Sequence, residues 1–174
     1  MPPRPAAALL SFVLAGALQG AVRIGDPATD IPGVDARGVP CSLSDDAGRV
    51  ILLDISTAWC HWCREDAPMM ESLQRAYGPR GLKVVTVLTQ DVNGQGPVAP
   101  GVLSGWAAAY GLTFRVQSDA GGVAGVAERV YVQDPASGGY PTFVIIDRGF
   151  RVRYLTGGLD LGAIKAKVEE LLAP

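Results

Sequence analysis

Apolar runs alternate along this chain with stretches whose apolar positions recur every three or four residues. Val50 to Ser56 is a near-continuous apolar run, the pattern of a central strand buried on both faces. The segment from Cys60 to Tyr77 reads as a helix, with Pro68 inside it expected to kink it. Leu82 to Thr89 is a second apolar strand, and the helix between makes a βαβ unit with parallel strands. Val102-Leu103, Trp106-Ala107 and Tyr110 keep helical spacing up to Gly111, a helix-ending residue. A short strand is expected over Phe114 to Gln117 and a short helix over Val123 to Tyr131. Thr142 to Ile146 and Phe150 to Leu155 pair as a hairpin across Asp147-Arg148-Gly149. Leu161, Ile164, Val168 and Leu171-Leu172 line one side of a last amphipathic helix, Leu159 to Leu172. Ahead of the first long strand, the Gly/Pro-punctuated stretch from Asp30 to Asp46 predicts a hairpin turning at Arg37-Gly38. The fold class is therefore α/β, a central mixed sheet flanked by helices with an N-terminal hairpin extension. One stretch resists this pattern. Asp91 to Gly101 is long and Gly/Pro-rich, which fits either a substrate-facing lid or a tolerated surface insertion.

Bulk properties narrow the field. The chain has 174 residues, 48% of them hydrophobic, enough for one domain with a real core. A net charge of −2 gives no basic face, so nucleic acid is excluded as a partner. Arg148, Arg151 and Arg153 cluster on an expected strand edge, where charge guards against edge pairing. Before all of this lies a different kind of sequence. Arg4 precedes the apolar run Ala6 to Leu18, followed by small residues up to Ala21. Residues 1–21 are read as a signal peptide or an N-terminal anchor through residues 5–22, and residues 22–174 as one folded domain. The protein is accordingly expected to be exported, periplasmic or associated with the cell envelope, a compartment where disulfides persist.

Cys60-His61-Trp62-Cys63 carries the chemistry. Two thiols at this spacing, where an apolar strand turns into a helix, can close and reopen a small disulfide ring. Cys60 falls at the expected helix N-terminus, where unpaired N–H groups and the helix dipole favour an anion. The thiolate is the reactive form, so Cys60 is the expected nucleophile and Cys63 the resolving thiol. His61, the chain's one histidine, can place positive charge beside that thiolate. Asp54 stands inside the apolar strand, where a carboxylate is costly unless it is neutral or paired. With three cysteines and one histidine, a closed zinc site lacks ligands, and neither an iron–sulfur nor a haem pattern is present. No metal or cofactor is expected. Cys41 is expected to behave as a small buried hydrophobe rather than a third redox thiol.

Several of these segments together resemble the thioredoxin fold, in particular the TlpA/ResA-like bacterial thiol–disulfide oxidoreductases. They are Leu43-Ser44-Asp45, Gly48 to Asp54, Trp59-Cys60 to Pro68, and Tyr140-Pro141 to Asp147. The resemblance runs from about Ile31 to Leu172 and implies a redox function. It implies that Asp54 is the acid beneath the active site, serving the buried thiol as proton acceptor and donor. Thioredoxins proper pair this acid with a lysine on the next strand. Val84 to Leu88 holds none, so Asp54 should protonate more easily. It also implies that Pro141 is cis and packs against the disulfide, leaving the Tyr140 backbone free to pair with an extended substrate segment. Pro68 holds the place of the helix proline that the resemblance leads one to expect. Trp62 departs from the pattern, which usually has proline before the second cysteine. Trp59 reads as a shield over the nucleophile or as core packing.

The expected function is exchange of a Cys60–Cys63 dithiol/disulfide with protein thiols and disulfides, by a monomeric chain. Substrate contact is assigned to Trp59, His61, Trp62, Tyr140 and Pro141, and catalysis to Cys60, Cys63 and Asp54. Two alternatives stay open. Thr57-Ala58-Trp59-Cys60 resembles the TxxC of thioredoxin-fold peroxidases, with Leu53 where their preceding proline would be. The other is a non-catalytic, metal-carrying module.

Overall fold

The computed structural model describes residues 21–132 and 139–174. The leader-or-anchor expectation therefore falls, up to residue 20, outside the described residues. Among the described residues no helix is long and apolar enough to cross a membrane.

The chain forms a short hairpin, β1 (Pro32–Val34) and β2 (Pro40–Ser42), then β3 (Val50–Thr57), α1 (His61–Tyr77) and β4 (Leu82–Gln90). It continues through α2 (Pro100–Tyr110), β5 (Arg115–Ser118), β6 (Thr142–Ile146), β7 (Val152–Gly157) and α3 (Leu161–Leu172). The main sheet runs β5-β4-β3-β6-β7, with β3 at its centre. β3 pairs in parallel with β4 and antiparallel with β6, so the sheet is mixed, as the sequence pattern predicts. This is a thioredoxin-like arrangement with an N-terminal hairpin.

β3 is buried at all eight positions because both of its faces are covered, and its alternation sorts its residues between two cores. Ile51, Leu53 and Ile55 pack with Val85, Val87, Val144, Leu43, Ile31 and Tyr131 on one face. Val50 and Leu52 pack with Met70 and Leu73 of α1, and with Ile164 and Val168 of α3, on the other. Each such side chain taken fully out of water contributes about 1.5–3 kcal/mol. Asp54 and Ser56 continue the α1-facing row toward the start of that helix, and the alternation therefore aims two polar groups at the cysteines.

Gly33 lets the hairpin lie against the end of β5. A Cβ there would sit 1.9 Å from the Ser118 carbonyl oxygen. The N-terminal segment also straps the sheet at both margins. Gly25 N–H donates to Val152 O at 2.7 Å and Ala28 N–H to Phe150 O at 2.8 Å, beside β7. On the opposite margin Ala120 N–H donates to Pro32 O at 2.8 Å, and Asp35 pairs with Gln117 of β5. The arginine cluster is tied down rather than merely solvated. Arg153 pairs with Asp147 at 2.6 Å, Arg148 donates to Leu171 O, and Arg151 to Gly25 O.

The expected helix over Val123 to Tyr131 is replaced by a 3₁₀ turn, Gly122–Ala124, and a five-residue π-type turn, Ala127–Tyr131. The buried Asp119 carboxylate accepts from Gly121 N–H and from Ala127 N–H, and the second is a donor that a regular helix would have paired with Val123 O. The Asp91–Gly101 stretch is a mostly exposed loop that opens on a hydrogen-bonded turn and buries Val98. Asp91 Oδ1 accepts from Asn93 N–H and Gln95 N–H, Gly96 lies against Thr89 O and Gly122, and Pro100 opens α2.

Candidate active site

β3 ends and α1 begins at the cysteine pair. Cys60 has extended backbone geometry as the residue capping α1, and its Sγ accepts from Cys63 N–H at 3.2 Å. The helix N-terminus thus presents a backbone donor to this sulfur, a placement that favours negative charge. The Cys60 thiol also points at the Tyr140 carbonyl oxygen, 3.7 Å away. The Tyr140–Pro141 bond is cis, in line with the resemblance. Both cysteines are reduced and buried. Burial pushes the Cys63 thiol above its usual range, with the Cys60 contact and the Asp54 charge adding to the rise. The Thr57 backbone and the Ser56 hydroxyl act the other way. Cys63 is therefore held as the neutral thiol.

Asp54 lies beneath the pair, 2% exposed. Burial raises its carboxyl from 3.8 to about 6, against hydrogen bonds from Ser56 and Thr86 that favour the charged form. The charge of Asp66 raises it further. Ser56 Oγ donates to Asp54 Oδ1 at 2.6 Å, and Thr86 Oγ1 to Oδ2 at 2.8 Å. Thr86 stands directly opposite Asp54 in the β3–β4 register, where a lysine is absent.

Four side chains close a ring beside Cys60. The Trp59 indole N–H donates to Gln90 Oε1 at 2.8 Å, and Gln90 Nε2 donates to Glu128 Oε1 at 3.2 Å. The Tyr140 hydroxyl donates to the same Glu128 oxygen. The Tyr140 ring then meets Trp59 edge-on, centroids 5.9 Å apart. Trp59 is 42% exposed, so it is a held surface aromatic and not core packing. Burial raises the Glu128 carboxyl, which its Thr89 and Gln90 neighbours partly offset. The register shift between Ser56 and Thr57 against β4 lies at this end of the strands, where a bulge re-aims side chains.

His61 and Trp62 face outward. Their rings contact each other at 5.2 Å, and no hydrogen bond or ion pair joins His61 to Cys60. Trp62 is 66% exposed, an apolar plate beside the site. Cys41 is only partly buried, its thiol directed at Gln117 Oε1, and it is not brought to the pair. Among the described residues no group of three or more His, Cys, Asp or Glu side chains converges on a metal position. Sequence reasoning placed Asp54, Trp59, Cys60, Cys63, Tyr140 and Pro141 in what proves to be one locus. It missed Ser56, Thr86, Gln90 and Glu128. Ser56 had a usable signal, a hydroxyl two residues from a buried acid on the same strand face.

A dithiol capping a helix, a buried carboxylate below it and a cis proline beside it, on this sheet, define a thioredoxin-fold thiol–disulfide oxidoreductase. The chain belongs to the AhpC/TSA family, whose model matches residues 24–155. It is similar to thiol-disulfide oxidoreductase ResA of Geobacillus kaustophilus, 27% identical over 157 residues, covering 87% of this chain and 79% of that one. It is also similar to the thioredoxin-like protein YneN of Bacillus subtilis, 29% identical over 102 residues. That match spans 59% of this chain and 57% of the length of YneN. Among solved structures, a putative thiol:disulfide interchange protein DsbE from Chlorobium tepidum superposes with a TM-score of 0.68 at 26% identity. The overlap covers 88% of this chain and 100% of that one.

Proposed function

We propose that this chain is an exported enzyme that exchanges its Cys60–Cys63 dithiol with disulfides of protein substrates in the cell envelope. The observation that carries the reading is the position of Cys60 Sγ, capped by Cys63 N–H and facing Tyr140 O. An extended substrate segment pairs with the backbone of Tyr140, whose carbonyl loses its thiol donor once Cys60 is a thiolate, and this brings the substrate disulfide over Cys60. Trp59 and Trp62 supply the apolar surface on which that segment rests, with His61 beside them. Cys60 attacks as thiolate and forms a mixed disulfide, and the departing substrate sulfur takes up a proton. Cys63 yields its proton to Asp54 and attacks Cys60, releasing the second substrate thiol and closing the Cys60–Cys63 bond. Asp54, raised toward neutrality, has an affinity for protons suited to accepting one and giving it back. Reverse flow oxidises a substrate dithiol by the same steps, and the reduction potentials of pair and partner set the direction.

The Cys63→Ser protein should accumulate mixed disulfides through Cys60 on non-reducing gels, and the Cys60→Ser protein should accumulate none. Equal trapping by both variants would reverse or abolish the assignment. Export is tested separately. Protein recovered from the producing cell should begin between Leu18 and Val22 by mass spectrometry, whereas an intact cytoplasmic chain starting at Met1 would contradict it.

A further inference from the structure

A thiol that must deprotonate and a buried carboxylate that can accept the proton need a path between them. Ser56 is the hydroxyl best placed to supply one, bonded to Asp54 on the face of β3 that meets α1. It is fully buried on the α1-facing row of β3, two residues beyond Asp54 and next to Thr57. Its hydroxyl donates to Asp54 Oδ1 at 2.6 Å, a short, well-formed contact between two groups shut away from solvent. Its other side meets α1. Cys63, in the first turn of α1, is buried over the same end of β3, and the Ser56 hydroxyl is among the groups that favour its thiolate. A serine hydroxyl carries one donor and two acceptor sites, so it can accept from a thiol while donating to a carboxylate.

We infer that the Ser56 hydroxyl is the relay through which Cys63 passes its proton to Asp54, a step that rests on the function proposed above. In the mixed-disulfide state the Cys63 proton moves to Ser56 Oγ as the Ser56 proton moves to Asp54 Oδ1. The carboxylate is neutralised and the thiol becomes a thiolate. The reformed hydroxyl turns to donate to the new thiolate. The Cys63 thiolate then attacks Cys60 Sγ. One S–S bond forms within the protein, the bond to the substrate sulfur breaks, and the electron pair leaves on that sulfur. The two cysteines are oxidised and the substrate disulfide is reduced. Run backward, the relay returns the proton to Cys63 when the protein acts as oxidant. The titratable groups facing this path are Asp54 from β3, Cys60 at the cap of α1, and Cys63 and Asp66 from α1. β4 contributes the Thr86 hydroxyl and β6 contributes none.

The test uses reduced full-length protein and dithiobis-nitrobenzoate, an aromatic disulfide whose thiolate is coloured. The first coloured thiolate reports attack by Cys60, and the second reports resolution by Cys63. Stopped-flow traces are compared across pH for wild type, Ser56→Ala, Ser56→Thr, Asp54→Asn and the double variant Ser56→Ala/Asp54→Asn. General acid–base catalysis contributes on the order of 10²–10⁴-fold. The relay therefore predicts that Ser56→Ala slows the second phase at least about tenfold and leaves the first within about twofold. Ser56→Thr, which keeps the hydroxyl, should restore the second phase to within about threefold, and the double variant should be no slower than Asp54→Asn. A second phase in Ser56→Ala equal to wild type, with Asp54→Asn slow, overturns the relay and leaves Asp54 as the base. A Ser56→Thr protein as slow as Ser56→Ala, or a loss shared equally by both phases, also overturns it. If neither Ser56→Ala nor Asp54→Asn slows resolution, the role of Asp54 in the proposed function falls as well.

Discussion

Asp54→Asn should make this protein more stable at neutral pH while slowing its chemistry. The carboxyl titrates near 3.8 in the unfolded chain and near 6 in the fold, a difference of about two units. At 1.36 kcal/mol per unit, a charged Asp54 costs the folded state about 3 kcal/mol. The fold retains a proton that the unfolded chain gives up. The stability tied to that proton is therefore complete below pH about 4, is lost as pH rises through about 6, and is absent above that. Asparagine is nearly the same size and never carries the charge. It keeps one oxygen for a hydroxyl donor, and the other hydroxyl must rotate to accept from the amide, which reduces the gain. The variant should gain about 1–3 kcal/mol at pH 7 and nothing at pH 4. For a domain of this size that is about 2–12 °C in Tm. Urea unfolding of the reduced proteins at pH 4, 5, 6 and 7 measures it. A difference between variant and wild type that stays flat across this range would refute the reasoning, as would a variant less stable at pH 7.

Three further outcomes follow from the same geometry. His61→Ala should make the pair more reducing by no more than about 20 mV, because an exposed charge with no direct contact to Cys60 is weakly coupled; equilibration in glutathione buffers reads this, and a shift beyond about 60 mV would give the imidazole a larger part. Tyr140→Phe removes a donor from the buried Glu128 and should cost about 1–3 kcal/mol in urea unfolding, whereas an unchanged midpoint would make that hydroxyl dispensable. Gly33→Ala drives a methyl into the Ser118 carbonyl and should cost about 1–3 kcal/mol, and a neutral result would mean that the hairpin can lift away from β5 freely.

What the sequence disclosed and what it withheld divide along a physical line. The β3–Cys60–Cys63–α1 unit was legible because strand, thiols and helix are contiguous and their periodicities differ. Tyr140-Pro141 was legible through resemblance. Thr86, Gln90 and Glu128 were not, because their roles come from register and from packing between distant segments. Thr86 matters only because the parallel pairing puts it opposite Asp54. Gln90 and Glu128 matter because the Ala127–Tyr131 turn approaches the end of β4. The expected single short helix over Val123 to Tyr131 is split there into a 3₁₀ piece and a π-helical piece. Its apolar spacing is helical, and nothing in the spacing reveals that the Asp119 carboxylate takes the N–H groups of Gly121 and Ala127.

The strap formed by residues 22–42 has a bearing on traffic with other polypeptides. An unfolded or extended client meeting a five-stranded sheet would ordinarily zip onto an outer strand, and such encounters end in clumping. Here Gly25 to Ala28 occupy backbone positions beside β7, and the hairpin occupies them beside β5. With both flanks partly taken, fewer backbone groups at the sheet margins stand open to an extended chain. The strap thus covers the sides of the sheet, and under the function proposed above it leaves clients the backbone beside the reactive sulfur.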